Sequence, residues 1–136
     1  MPHTILVVDD SPDVCSIVKT FLQRDVNFTI CGEAASGLEA IKKAEELRPD
    51  LILLDLKMPG MNGIEVATIL KRVVPKARIV LFSAYTDSLG GTALASAAGI
   101  DLIVQKGSLA DMVMSLKTLI SRKYIPPVSG STEPRM

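Results

Sequence analysis

A chain of 136 residues and 14.6 kDa is the size of one domain rather than two, and at that size about two-thirds of the open-chain surface can be buried without a metal or disulfide staple. Hydrophobic residues at 48% and charged residues at 22% exclude a disordered or low-complexity protein, and 4% aromatics with no Trp make the core aliphatic. Fifteen basic and fifteen acidic residues leave no net charge, which removes the strongest electrostatic case for nucleic acid or an anionic membrane as a direct partner.

Five short apolar runs recur along the chain: Thr4 to Val8, Phe28 to Cys31, Leu51 to Leu54, Arg78 to Phe82 and Asp101 to Val104. None approaches the ~18 residues of a membrane span, and the first runs straight into Asp9-Asp10, too soon for a signal-peptide core. Runs such as Leu51-Ile52-Leu53-Leu54 are continuous rather than alternating, as in strands covered on both faces. Amphipathic stretches separate them. Val14, Ile17, Val18, Phe21 and Leu22 keep the spacing of a helix burying one face, and so do Leu109, Met112, Val113, Leu116 and Ile120.

Helix starts are marked by Ser11-Pro12, by the capping box Ser36-Gly37-Leu38-Glu39, and by Asn62 to Glu65 and Ser108 to Asp111. Arg48-Pro49 and Val74-Pro75 mark the ends of the second and third helices. A fourth helix over roughly Asp87 to Ala98 is the weakest, with Gly90-Gly91 near its start. Strict alternation of strand and helix implies right-handed crossovers and a parallel sheet with helices on both sides, strand two lying at an edge. Residues 1–123 form this domain, and residues 124–136, opened by Tyr124-Ile125-Pro126-Pro127, read as a flexible tail or a truncated linker.

In an open parallel sheet, sites form beyond the carboxyl ends of the strands. There the sequence places Asp9-Asp10 after strand one, Asp55 after strand three, Ser83 after strand four and Lys106 after strand five; Glu33 follows strand two, away from the centre. Any one of these is an ordinary loop or cap residue. Together, three carboxylates about 4 Å apart repel by about 4 kcal/mol per pair at an effective dielectric of 20, so a cation is expected to offset them. Oxygen ligands with no His or Cys nearby suit a hard ion, and Mg²⁺ is expected. A divalent ion and Lys106 would balance the three negative charges.

The stretch Asp55-Leu56-Lys57-Met58-Pro59-Gly60-Met61-Asn62-Gly63, with Asp9-Asp10, Ser83-Ala84 and Lys106 at these spacings, resembles the receiver domain of a two-component response regulator over residues 4 to about 122. The resemblance implies an α/β fold with a doubly wound five-stranded parallel sheet, flavodoxin-like in the order 2-1-3-4-5, a (βα)5 chain. It implies that Asp55 is the phosphoacceptor from a phosphohistidine on a sensor histidine kinase or phosphotransfer protein. Asp9 or Asp10, with Asp55 and the backbone carbonyl of Lys57, would hold Mg²⁺; Ser83 and Lys106 would bind the phosphoryl oxygens. The chain would then phosphorylate and dephosphorylate itself without being a turnover enzyme. Its helix-four, strand-five, helix-five face would control an output protein or effector domain. Phosphorylation-dependent homodimerisation stays open.

Two positions depart from the family pattern. Gly107 follows Lys106 where a proline is common, and Ile103 stands where many members carry the aromatic half of the switch, so the switch rests on Ser83 and Ile103. An unphosphorylated interaction module of the same shape is the alternative. An aspartyl-phosphate phosphatase would want Asp-x-Asp where Asp9-Asp10-Ser11 stands, and a flavin phosphate would be repelled by those aspartates. His3 reads as a surface residue, Met58 and Met61 as packing, and the Lys42-Lys43 and Lys71-Arg72 pairs as solvated charge. Lys57 and Tyr85 border the site, equally as tuners of hydrolysis or as exposed side chains. Cys15 and Cys31 read as packed thiols of a reducing compartment, the cytoplasm. No DNA-binding domain fits within the chain, which either stands alone or is cut from a longer regulator.

Overall fold

A computed structural model describes residues 2–56, 58–83, 99–105 and 107–121. In chain order these form β1 (His3–Val8), α1 (Pro12–Gln23), β2 (Phe28–Ala34), α2 (Gly37–Leu47), β3 (Leu51–Asp55), α3 (Gly63–Val73), β4 (Arg78–Ser83), β5 (Leu102–Gln105) and the C-terminal helix α4 (Leu109–Ser121). The strands pair in parallel in the order β2-β1-β3-β4-β5. This is the expected doubly wound sheet. The expected fourth helix and the tail 124–136 lie outside the described residues, so α4 is the helix expected as the fifth.

The continuous apolar runs divide between two cores because successive side chains point to opposite faces. Leu6, Val8, Ile52, Leu54, Ile79 and Leu81 meet the buried faces of α2 and α3. Ile5, Val7, Leu51, Leu53, Val80 and Phe82 meet α1 and α4. The spacing in α1 places Ile17 in the core, yet it is 56% exposed while Val18 and Leu22 are buried. Position 17 sits at the margin of the apolar stripe, where periodicity cannot separate rim from core.

Strand β2 runs past Cys31 to Ala34. Its polar Gly32-Glu33 stretch hides this in the sequence, and an edge strand tolerates it. The register passes from Ile5↔Ile30 to Leu6↔Gly32, so Cys31 is an extra residue in a bulge, where its thiol donates to the Ile5 carbonyl at 3.5 Å. Glu33 pairs with Lys19 of α1 at 2.9 Å.

The caps follow the sequence with one difference. Asn62 and Glu65 form a full capping box. Ser36 accepts the Glu39 N–H at 3.2 Å, but the Glu39 carboxylate accepts the Ala35 N–H at 2.7 Å rather than that of Ser36. Helix α2 ends at Arg48, whose φ of 50° turns the chain left-handed before Pro49. Two lysines expected in water are engaged instead. Lys43 reaches the Glu33 carbonyl and Glu39; Lys71 donates to the Ala77 carbonyl at 2.9 Å and to Asp101 at 3.3 Å. No helix among the described residues is long and apolar enough to cross a membrane.

Asp25, beyond α1, accepts the Asn27 backbone N–H at 2.9 Å and pairs with Lys117 of α4 at 3.2 Å. Its carboxyl is held below the usual range, first by that backbone hydrogen bond, against partial desolvation, with the Asn27 side chain and Lys117 adding to the effect. A depressed folded pKa stabilises above the unfolded value of about 3.9 and loses that contribution as pH falls through the folded one. The stability gap between the parent and Asp25→Ala is therefore expected to be full at neutral pH and to close below about pH 4 in urea titrations. In the same assay Leu22→Ala is expected to cost about 2–5 kcal/mol, and Ile17→Ala about 1 kcal/mol or less.

Candidate functional site

The carboxyl ends of β1 and β3 are adjacent because those strands pair through Val8↔Leu54. The Asp9 N–H extends the ladder by donating to the Ala34 carbonyl at 3.0 Å, and the side chain is buried. One Asp9 carboxylate oxygen accepts the Ser11 N–H at 2.9 Å. Ser11 thus has two tasks: its hydroxyl caps α1 through the Val14 N–H at 3.3 Å, and its main chain orients Asp9. Beneath them the Cys15 thiol donates to the Asp9 carbonyl at 3.4 Å. Burial first, then the charges of Asp9 and Glu33, push the Cys15 thiol up, so at neutral pH it stays a protonated donor.

Asp55 is the last residue of β3 and is 6% exposed. The loop after it turns at Gly60, whose φ of 88° favours glycine, and closes where the Gly63 N–H donates to the Leu56 carbonyl at 2.7 Å. Gly63 opens α3 so close to β3 that a Cβ there would lie 2.7 Å from the Asp55 carbonyl oxygen and 2.9 Å from the Leu56 Cα. The Asn62–Glu65 box fixes the angle at which the loop enters the helix. The steric need for glycine at position 63 is not read from the motif alone, although a poor helix former at a helix start is its signal.

These elements bring one carboxylate oxygen from each of Asp9, Asp10 and Asp55 within 4.8 Å of one another, Asp10 exposed and the other two buried. Like charges at that distance repel by roughly 3–4 kcal/mol per pair at an effective dielectric of 20. Oxygen donors alone, at the spacing a single ion can span, fit a hard divalent cation such as Mg²⁺. Cys15, kept as a thiol whose S–H donates to the Asp9 carbonyl, offers no soft ligand.

Glu33 lies within β2, paired to Lys19, and does not join the three aspartates. Ile103 lies in β5 opposite Leu81 and packs against the α2–α3 core. Met58 and Met61 pack against the same core. His3 is the first residue of β1. Ser83 ends β4 and pairs with Gln105. Its side chain lies outside the described residues, as do Lys57, Tyr85 and Lys106.

The family model for the response regulator receiver domain matches residues 5–117. Among curated proteins, the chain is 36% identical to a protein-glutamate methylesterase/protein-glutamine glutaminase from Maricaulis maris, over 91% of the chain and 33% of that protein. It spans between about a third and three-fifths of the curated relatives it matches. Among solved structures, a LuxR-family two-component response regulator from Aurantimonas sp. SI85-9A1 superposes with a TM-score of 0.82 at 29% identity, covering 89% of this chain and 86% of that one. A chain from the complex of the CheA3 P1 domain with CheY6 from R. sphaeroides gives 0.76 at 28% identity, covering 89% and 98%.

Relieving the repulsion is expected to show without a ligand. Asp10→Asn should stabilise the chelator-treated protein by on the order of 1 kcal/mol, the pair energy being reduced by solvent at this exposed position. Millimolar Mg²⁺ should reverse the order by stabilising the parent more, as read by urea denaturation.

Proposed function

The chain belongs to the response regulator receiver domain family, and from that premise we propose that it is a phosphorylation switch of a two-component system, with Asp55 as the phosphoacceptor. The clustering of Asp9, Asp10 and Asp55 within 4.8 Å is the observation that supports this reading most strongly. A carboxylate oxygen of Asp55 attacks phosphorus in line with the phosphohistidine N–P bond; the O–P bond forms, the N–P bond breaks, and the departing imidazole nitrogen takes up a proton. Asp55 is buried at the end of β3.

Phosphoryl transfer asks the protein mainly for position and charge neutralisation. Asp9, Asp10, Asp55 and the main-chain carbonyl of Lys57 would hold Mg²⁺, which when bound supplies positive charge against the transferred oxygens. Lys106, beyond the end of β5, would bind a phosphoryl oxygen as a point charge, and the Ser83 hydroxyl at the end of β4 would donate to another. Drawing Ser83 toward the phosphoryl group, with Ile103 two residues before its β5 partner Gln105, would carry the change to the face around β5 and α4 and so to an output partner or effector domain. The donor is a sensor kinase or phosphotransfer protein, and the compartment is the cytoplasm. Phosphorylation and its reversal at Asp55 are this domain's own chemistry. A substrate-converting activity such as that named for the Maricaulis relative is not assigned to these residues.

Incubation with acetyl phosphate and Mg²⁺ is expected to add one base-labile phosphoryl group by intact mass, lost in Asp55→Asn and on chelation. Labelling of Asp55→Asn at the parent rate would refute the acceptor. Lys106→Ala is expected to keep Mg²⁺ binding and lose the phosphorylation-driven spectral shift.

A further inference from the structure

Two of the described helices begin on a cap followed by glycine, Ser36-Gly37 in α2 and Asn62-Gly63 in α3. Both glycines are buried. Glycine at a helix start carries an entropic penalty that a small alanine would avoid, so its presence in both calls for a steric reason. At Gly63 that reason is the main chain of Asp55 and Leu56, as described above. At Gly37 it is the start of α3, with the acceptor loop in van der Waals contact beside it. A Cβ there would lie 2.6 Å from Val66 Cγ2 and 3.4 Å from both Cβ and Sδ of Met61. Met61 belongs to the loop that follows Asp55; Val66 is fully buried one turn into the helix that this loop feeds.

These contacts are arranged in series. Gly37 rests on Met61 and Val66, which sit on either side of the Asn62–Glu65 box, and Gly63 within that box is pressed against the Asp55 carbonyl. The interior is close-packed, so a displacement at one end is transmitted rather than absorbed. We propose that Gly37, eighteen residues upstream of Asp55 in sequence, is a positioning residue for the phosphoacceptor: the absence of a side chain at this point lets α2 hold the acceptor loop and the start of α3 down over Asp55. This rests on the reading of Asp55 as acceptor and adds a residue that touches neither substrate nor metal. A methyl group at position 37 strikes Val66 and pushes the start of α3 away from α2, and through Gly63 the shift reaches the Asp55 main chain, with Met61 left in ordinary van der Waals contact. Misplacement of a reacting group by ~1 Å costs up to about a hundredfold in rate.

The test is a size-swap cycle of Gly37→Ala, Val66→Ala and the double variant, each labelled with acetyl phosphate at saturating Mg²⁺ and at a temperature where thermal scans show all of them folded. Gly37→Ala is expected to slow labelling about tenfold, and Val66→Ala, by removing the struck methyl, to restore the double variant to within about twofold of Val66→Ala alone. In the metal-free protein, amide chemical shifts of Met58 to Gly63 are expected to move in Gly37→Ala and to return in the double variant. A purely structural role would lower the melting temperature and leave the rate of the folded protein unchanged. Equal labelling of Gly37→Ala and parent overturns the proposal, and so does slow labelling that Val66→Ala does not restore. Should Gly37→Ala fail to fold, Val66→Ile enlarges the same contact from the other side; labelling of that variant at the parent rate overturns the proposal too. A parent that takes up no label refutes the acceptor reading instead and is distinguished by that result alone.

Discussion

Three aspartate side chains brought within 4.8 Å of one another at one end of a parallel sheet repel, and the fold holds them there nonetheless. Asp9 and Asp55 are buried and Asp10 is exposed. The restraint comes from groups that cannot easily yield. The β1–β3 ladder sets the strand ends side by side, the Ser11 main chain fixes one Asp9 oxygen, and Gly63 locks the main chain behind Asp55. The closeness of these like charges is therefore set by the fold and not by any attraction among them. In the proposed reading it is the feature that gives the site its affinity for a cation and its response to added phosphoryl charge.

The supporting structure is aliphatic and divided. Each central strand gives alternate residues to the α2–α3 core and to the α1–α4 core, so the sheet is the layer both halves share. The acceptor loop hangs from the α2–α3 side, through Met58 and Met61, while Asp9 and Cys15 hang from the α1 side. The two carboxylate-bearing segments are therefore supported by different helices and come together at the sheet's carboxyl rim. In the proposed reading, charge added at that rim would act on segments held by both cores, which is a physical basis for a switch built on a rigid scaffold.

Much of this is legible in the residues. Leu51 to Leu54 has no polar interruption, which only a strand covered on both faces tolerates, and Asp55 directly after it is placed at the rim by the rule for parallel sheets. Helix limits at Ser11-Pro12, Arg48-Pro49 and Val74-Pro75 follow from local backbone chemistry and fall where expected. The far end of β2 was hidden because Gly32 and Glu33 lack an apolar pattern; their place depends on a bulge and on Lys19, which are tertiary facts. The exposure of Ile17 and the partners of Lys43 and Lys71 are hidden for the same reason, since what faces a helix flank is set by distant chain segments. Within the site, the carboxylates announce themselves by type and spacing. The glycines do not, because what matters at position 37 or 63 is a neighbour's distance and not the residue's chemistry.

The central claim is that the three aspartates act jointly on one divalent ion. Titration of Mg²⁺ by isothermal calorimetry, into the parent and into Asp9→Asn, tests it most directly. A single site of millimolar or tighter affinity in the parent, weakened at least tenfold in the variant, is the result expected here; no heat in the parent, or equal affinity in both, would contradict the account.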